Sequence, residues 1–170
     1  MERGDVKRSE EDEFRAFVGL RMQRWRSAAY LLCHDWHTAD DLVGAVVAKL
    51  YRHWRRVITA DNPDAYAQRV LTRAWLDERR RPWRRESARP AVPDAGWTQP
   101  DRAGDRDQLI RLLARLGPKQ RAVVVLRFYF DRSVEETAEL LGISPGTVKS
   151  QSARGLETLR TLAFTPGRHE

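Results

Sequence analysis

SVEETAELLGISPGTVKSQSARGLETLRTL, residues 133–162, carries the local signals of two short helices meeting at a tight turn. Ser133 and Glu136 have capping-box spacing, in which a hydroxyl and a carboxylate each satisfy a backbone N–H at a helix start. Ala138 is small where two helices must cross closely. Gly142 falls where the first helix should end in a left-handed cap, a conformation that residues without a Cβ adopt freely. Ile143 can plug the gap between the helices. Ser144 then suits an N-cap and Pro145 the first helical position, where a missing N–H costs nothing. This is the pattern of a helix-turn-helix. On its second helix Val148, Ser152, Leu156 and Leu159 fall on one face. Thr147, Ser150 and Arg154 fall on the other, flanked by Lys149 and Gln151. Small polar groups and a long cation can enter a major groove and meet base edges.

The rest of the chain fits a partner of this kind. The 170 residues carry a formal charge of +7, which favours polyanions. Lys7, Lys49, Lys119 and Lys149 are four of the 31 basic residues, leaving 27 arginines. The planar guanidinium fork suits phosphates and guanine edges. Cys33 is the single cysteine, which excludes an internal disulfide and a cysteine-based zinc site. No apolar core of a signal peptide and no membrane-length apolar run is present, so a cytoplasmic protein without membrane insertion is expected.

Charged residues make up 32% and hydrophobic residues 41%, helix formers dominate, and alternating strand patterns are almost absent, so the expected class is all-α. One break interrupts the helical periodicity. ESARPAVPDAGWTQPDRAGD, residues 86–105, holds three prolines and two glycines, the composition of a flexible linker. Two small helical domains are expected on either side, 1–85 and 106–170. In the first, the periodicity predicts helices over Glu13–Asp35, Thr38–Trp54 with Thr38 and Asp41 as the starting signal, and from Asn62-Pro63-Asp64 to about Arg81. In the second, Asp107–Leu116 and Pro118–Phe130 precede the helix-turn-helix.

A second basic site is legible at the end of the first domain. Arg79, Arg80, Arg81, Arg84 and Arg85 interleave with Trp75 and Trp83, and Tyr66, Arg69 and Arg73 lie on the same predicted helix. Cations beside aromatic faces suit phosphates and unstacked bases, although Trp75 also fits the buried stripe. Cys33, His34, His37, Asp40 and Asp41 match no metal-ligand spacing, and the two aspartates are better placed as favourable charge in a helix first turn.

With these motifs in place, nearly the whole chain resembles a bacterial RNA polymerase sigma factor of the extracytoplasmic-function group in the sigma-70 family, in a branch of actinobacterial type. ADDLVGAVVAKLYRHW (39–54) resembles the family's core-polymerase-binding helix. NPDAYAQRVLTRAWLDERRR (62–81) resembles the helix that opens and reads the −10 element. Residues 116–160, with TVKSQ at 147–151, resemble the −35-reading domain. The resemblance implies a non-enzymatic initiation subunit with no catalytic residue, metal or cofactor. It would be a monomer when free and would bind the clamp helices and flap of core RNA polymerase and promoter DNA, with an anti-sigma factor as a further candidate partner. It implies that Asp41, Leu42, Ala45 and Tyr51 bind core polymerase. Asn62, Tyr66, Arg69, Arg73, Arg80 and Arg81 would serve the −10 element, and Thr147, Lys149, Ser150, Gln151 and Arg154 the −35 element. Two departures stand out. Gly44-Ala45 occupies the place of a usual Gln-Glu pair, and Arg73-Ala74 that of a usual Asn-Thr. The competing expectation is an operator-binding regulator that uses the same helix-turn-helix without polymerase core.

Overall fold

A computed structural model describes residues 2–80 and 103–164. They form eight α-helices: α1 (Glu2–Cys33), α2 (Trp36–Arg52), α3 (Trp54–Ile58), α4 (Pro63–Arg80), α5 (Ala103–Ala114), α6 (Pro118–Val124), α7 (Val134–Leu141) and α8 (Pro145–Phe164). No strand occurs among the described residues. Most of the expected linker, Arg81 and the Trp83–Arg85 cluster lie outside them, and α5 begins at Ala103.

Two boundaries differ from the sequence expectation. α1 begins a full eleven residues before Glu13, at Glu2. Residues 6–9 and 12–13 are exposed and leave no apolar period by which to find the extension. α2 starts one turn before Thr38. Its N-cap is Asp35, whose carboxylate accepts from the Thr38 N–H at 2.8 Å and the Thr38 hydroxyl at 2.6 Å. These bonds, the hydroxyl first, hold the Asp35 carboxyl below its ordinary pKa. His34, at φ +58°, makes the corner between α1 and α2.

The first core layer lies among α1, α2 and α4. Phe14, Phe17, Trp25 and Leu32 of α1 meet Leu42, Val46 and Leu50 of α2, Trp54 of α3, and Leu71 and Trp75 of α4. Trp75 is 1% exposed, so it belongs to the core and not to a base-stacking surface. The same apolar cluster continues into the second segment through Ile110, Ala122, Val125, Leu126, Phe130 and Leu140. The two segments are therefore docked over one hydrophobic core. Burying a side chain such as Leu126 contributes roughly 1.5–3 kcal/mol, so a seam with several of these resists separation by thermal motion alone. After α6 the backbone widens into a π-helical turn over Val125–Tyr129, closed by the Phe130 N–H on the Val125 carbonyl at 3.1 Å. This turn re-aims the chain into α7.

Candidate nucleic-acid and partner interface

The helix-turn-helix forms as its residues dictate. The Ser133 hydroxyl accepts from the Glu136 N–H at 3.0 Å, and the Glu136 carboxylate accepts from the Ser133 N–H at 2.8 Å. That backbone bond is the main reason the Glu136 carboxyl sits below its ordinary pKa. Gly142 ends α7 at φ +65°, and the Ile143 N–H bonds to the Ala138 carbonyl at 3.0 Å. Ile143 packs on Val123, Ala138 and Val148, and Val148 is wholly buried. The Ser144 hydroxyl caps α8 by accepting from the Thr147 N–H at 3.1 Å.

The outer face of α8 is open. Lys149, Ser150 and Arg154 are exposed, while Thr147 and Gln151 are half-buried. The Thr147 hydroxyl hydrogen-bonds that of Ser144 at 2.8 Å, and the Ser150 hydroxyl donates to the Thr147 carbonyl at 3.0 Å. Both hydroxyls keep acceptor capacity beyond these bonds, and Arg154 is exposed on the same face of the helix. The inner face depends on Gly155, which sequence reasoning passed over. A Cβ there would lie 2.9 Å from the Val124 Cγ2, so α8 crosses α6 closely only because that atom is missing. A glycine inside a strongly periodic helix, at a position where a helix former is cheaper, was the available signal.

On α4, Tyr66, Arg69, Arg73 and Arg80 share one side, while Ala67, Gln68, Leu71, Thr72 and Trp75 face the core. Arg69, Arg73 and Arg80 are exposed and Tyr66 is half-buried. Asn62 serves the helix start, its carboxamide oxygen accepting from the Ala65 N–H at 3.0 Å. This face borders the second segment. The Arg73 guanidinium lies 3.5 Å from where a Cβ on Gly142 would stand, at the helix-turn-helix corner, and Arg132 donates to the buried Gln68 carboxamide at 2.7 Å. On α2, Asp41, Ala45 and Tyr51 are exposed, but Leu42 is 5% exposed and packs inward beneath them. Tyr51 rests edge-on against Phe14, ring centres 5.2 Å apart. Asp40 is ion-paired with Arg26.

Arg121, another residue the sequence reading missed, joins the segments. It is 6% exposed and donates to Leu32 O at 2.6 Å, Leu113 O at 2.9 Å, Leu116 O at 3.0 Å and Ala114 O at 3.1 Å. One guanidinium thus caps the carboxyl ends of α1 and α5, where carbonyls are unpaired and the helix dipole favours a cation. Burial, and then the nearby Arg79, lower its pKa to about 10, which leaves it charged at neutral pH. His34 lies beside it with both ring nitrogens buried and unpartnered. Burial, Arg121 and Arg79 push its pKa down to about 4.

Comparison with known proteins agrees with this layout. Residues 18–85 match the family model described as Sigma-70 region 2, and residues 106–159 match Sigma-70, region 4. The chain is 36% identical over 153 residues to an RNA polymerase sigma-E factor of Streptomyces avermitilis, covering 87% of this chain and 83% of that one. It is 34% identical over 102 residues to the ECF RNA polymerase sigma factor SigM of Mycobacterium tuberculosis, covering 58% and 50%. Its fold is similar to the sigma factor RpoE solved with the anti-sigma factor NepR from Bartonella quintana. There the TM-score is 0.74 at 22% identity, over 90% of this chain and 98% of that one. It is also similar to CnrH solved with the cytosolic domain of CnrY, with TM-score 0.63 at 20% identity, over 90% and 88%.

Proposed function

The chain belongs to the sigma-70 family of RNA polymerase sigma factors, in its extracytoplasmic-function group. From that premise we propose how its surfaces divide the work of promoter recognition. The protein is an initiation subunit that binds core polymerase and directs it to promoters, and it supplies recognition in place of catalysis. The outer face of α2, with Asp41, Ala45 and Tyr51 at the surface and Leu42 bracing them from below, is the core-binding face. Asn62, Tyr66, Arg69, Arg73, Arg80 and Arg81 hold the −10 element. Extruding bases costs a few kcal/mol, which arginine contacts to phosphate and stacking on Tyr66 offset. Arg154, with Thr147, Ser150 and Gln151, reads the −35 duplex, and Lys149 neutralises phosphate.

The observation that carries this reading is the pairing of an open α8 face with a capped helix-turn-helix in a chain whose other half supplies a separate arginine face. The docked arrangement also supports an order of events. A helical body of this size is about 40 Å across. Elements centred near −10 and −35 stand about 85 Å apart on the duplex, at about 3.4 Å per base pair. The docked form cannot reach both, so residues 1–85 and 106–170 act as two domains that separate on the polymerase. An anti-sigma factor, the kind of partner with which RpoE of Bartonella quintana was solved, is suited to hold the docked form. Copurification with core polymerase followed by run-off transcription tests the reading, and both activities are expected to require the core enzyme. A stable dimer that binds a palindrome without polymerase would show an operator-binding regulator instead.

A further inference from the structure

Gly44 lies inside the 17-residue α2, and nothing stands within 4 Å of the place its Cβ would take. Glycine at such a position costs a helix about 1 kcal/mol relative to alanine. At Gly142 a left-handed backbone explains the glycine, and at Gly155 a close helix crossing does. Neither applies at Gly44, nor at Gly19 of α1, which is equally open; Gly44 differs in that it lines a groove.

The missing side chain opens into a groove of about 540 Å³ between α1 and α2. Its walls are Phe14, Met22, Val43, Val47, Ala48 and Tyr51, and the Arg26–Asp40 ion pair stands at its edge. Most of the lining is apolar, and the one charged pair there is already matched. The groove asks for hydrocarbon and offers no free charge to an ionic partner. It is also continuous with the face assigned to core polymerase, because Tyr51 belongs to both and Gly44 adjoins Ala45.

We propose that this groove receives apolar side chains spaced about four residues apart on one helix of core polymerase. A cleft between two helices accepts a third through anchors at that spacing. The inference rests on the reading of α2 as the core-binding helix and changes what that helix offers. Where the family presents a Gln-Glu pair, this chain presents a socket, and apolar burial takes over from polar contacts.

The test measures the affinity of the full chain for core polymerase, with thermal unfolding and sedimentation on the same samples. Gly44→Leu fills the socket with a good helix former. It should weaken core binding at least tenfold while leaving the melting temperature unchanged or higher. Asp41→Ala, exposed and outside the groove lining, reports on the α2 face separately. If Asp41→Ala weakens binding and Gly44→Leu does not, the socket is overturned while the face stands. If neither variant changes affinity, α2 is not the core-binding surface. Tighter binding by Gly44→Gln would show that polar contacts are simply missing here, which also overturns the proposal. Self-association of the native chain that Gly44→Leu abolishes would assign the groove to a second copy and overturn it equally.

Discussion

α2 and α8 are both amphipathic helices proposed to meet a partner, and each carries a glycine beyond its first turn, at 44 and 155. The two glycines are opposites. At Gly155 the space a side chain would need is already taken by Val124, 2.9 Å away, whereas at Gly44 that space is empty. Close packing makes the first kind costly to change, because a core has no slack to absorb a methyl group. The second kind costs only helix propensity, and that cost persists unless something outside the chain uses the room. A glycine in a helix therefore has two distinct physical readings, which the letter alone does not separate.

The largest effect is expected where the two regions are joined. Arg121→Met leaves the carbonyls of Leu32, Leu113, Ala114 and Leu116 without their donor and should cost about 3 kcal/mol. Loss of the Leu32 bond should also enlarge the hydrodynamic radius as the segments part. An unchanged radius with a lowered melting temperature would show that Arg121 holds only the second segment together.

Next comes the crowded glycine. Gly155→Val should destabilise by about 1–3 kcal/mol through overpacking against Val124, measured by denaturant unfolding, and should loosen −35 binding because α8 is pushed off α6. Stability at or above that of the native chain would mean the crossing relaxes freely, and the contrast with Gly44 would then disappear.

A comparable effect, confined to DNA, is expected on the outer side of the same helix. Arg154→Ala should weaken binding to the preferred −35 duplex by about 1–3 kcal/mol and relax preference at one position. Lys149→Ala should weaken all sequences alike and lower the salt slope by about one. Equal loss on every sequence for Arg154→Ala would place that side chain on phosphate alone.

The smallest effect belongs to the open glycine. Gly44→Ala should stabilise the chain by up to about 1 kcal/mol, seen as a slightly higher melting temperature, since the added methyl meets nothing. Destabilisation there would mean the space is not free, and the two glycines would be alike after all.

Much of this was legible without coordinates, for reasons that lie in particular residues. The helix-turn-helix was readable because its signals are local. Ser133 with Glu136, Gly142, and Ser144 with Pro145 each act within three or four residues on backbone groups that must be satisfied wherever the chain goes. The open face of α8 followed from helical period alone. The start of α1 was not readable, because residues 6–9, 12 and 13 are exposed and set no apolar period. The start of α2 was misplaced because Thr38 with Asp41 has capping-box spacing, whereas Asp35, which caps the helix, was read as the end of the one before it.

By itself the sequence determined the all-α class, the two helical segments, the turn between α7 and α8, and the membership those motifs declare. The tertiary structure alone decided that the segments share a core through Leu126 and Trp75. It also decided that Arg121 closes the ends of two helices, that Leu42 faces inward, and that Gly44 and Gly155 have opposite surroundings. The division has one physical cause. Caps, turns and periodicity are interactions between near neighbours in the chain. Burial, docking and the space around a missing side chain depend on residues tens of positions away, as Arg121 and Leu32 are, and no local pattern records which of them will meet.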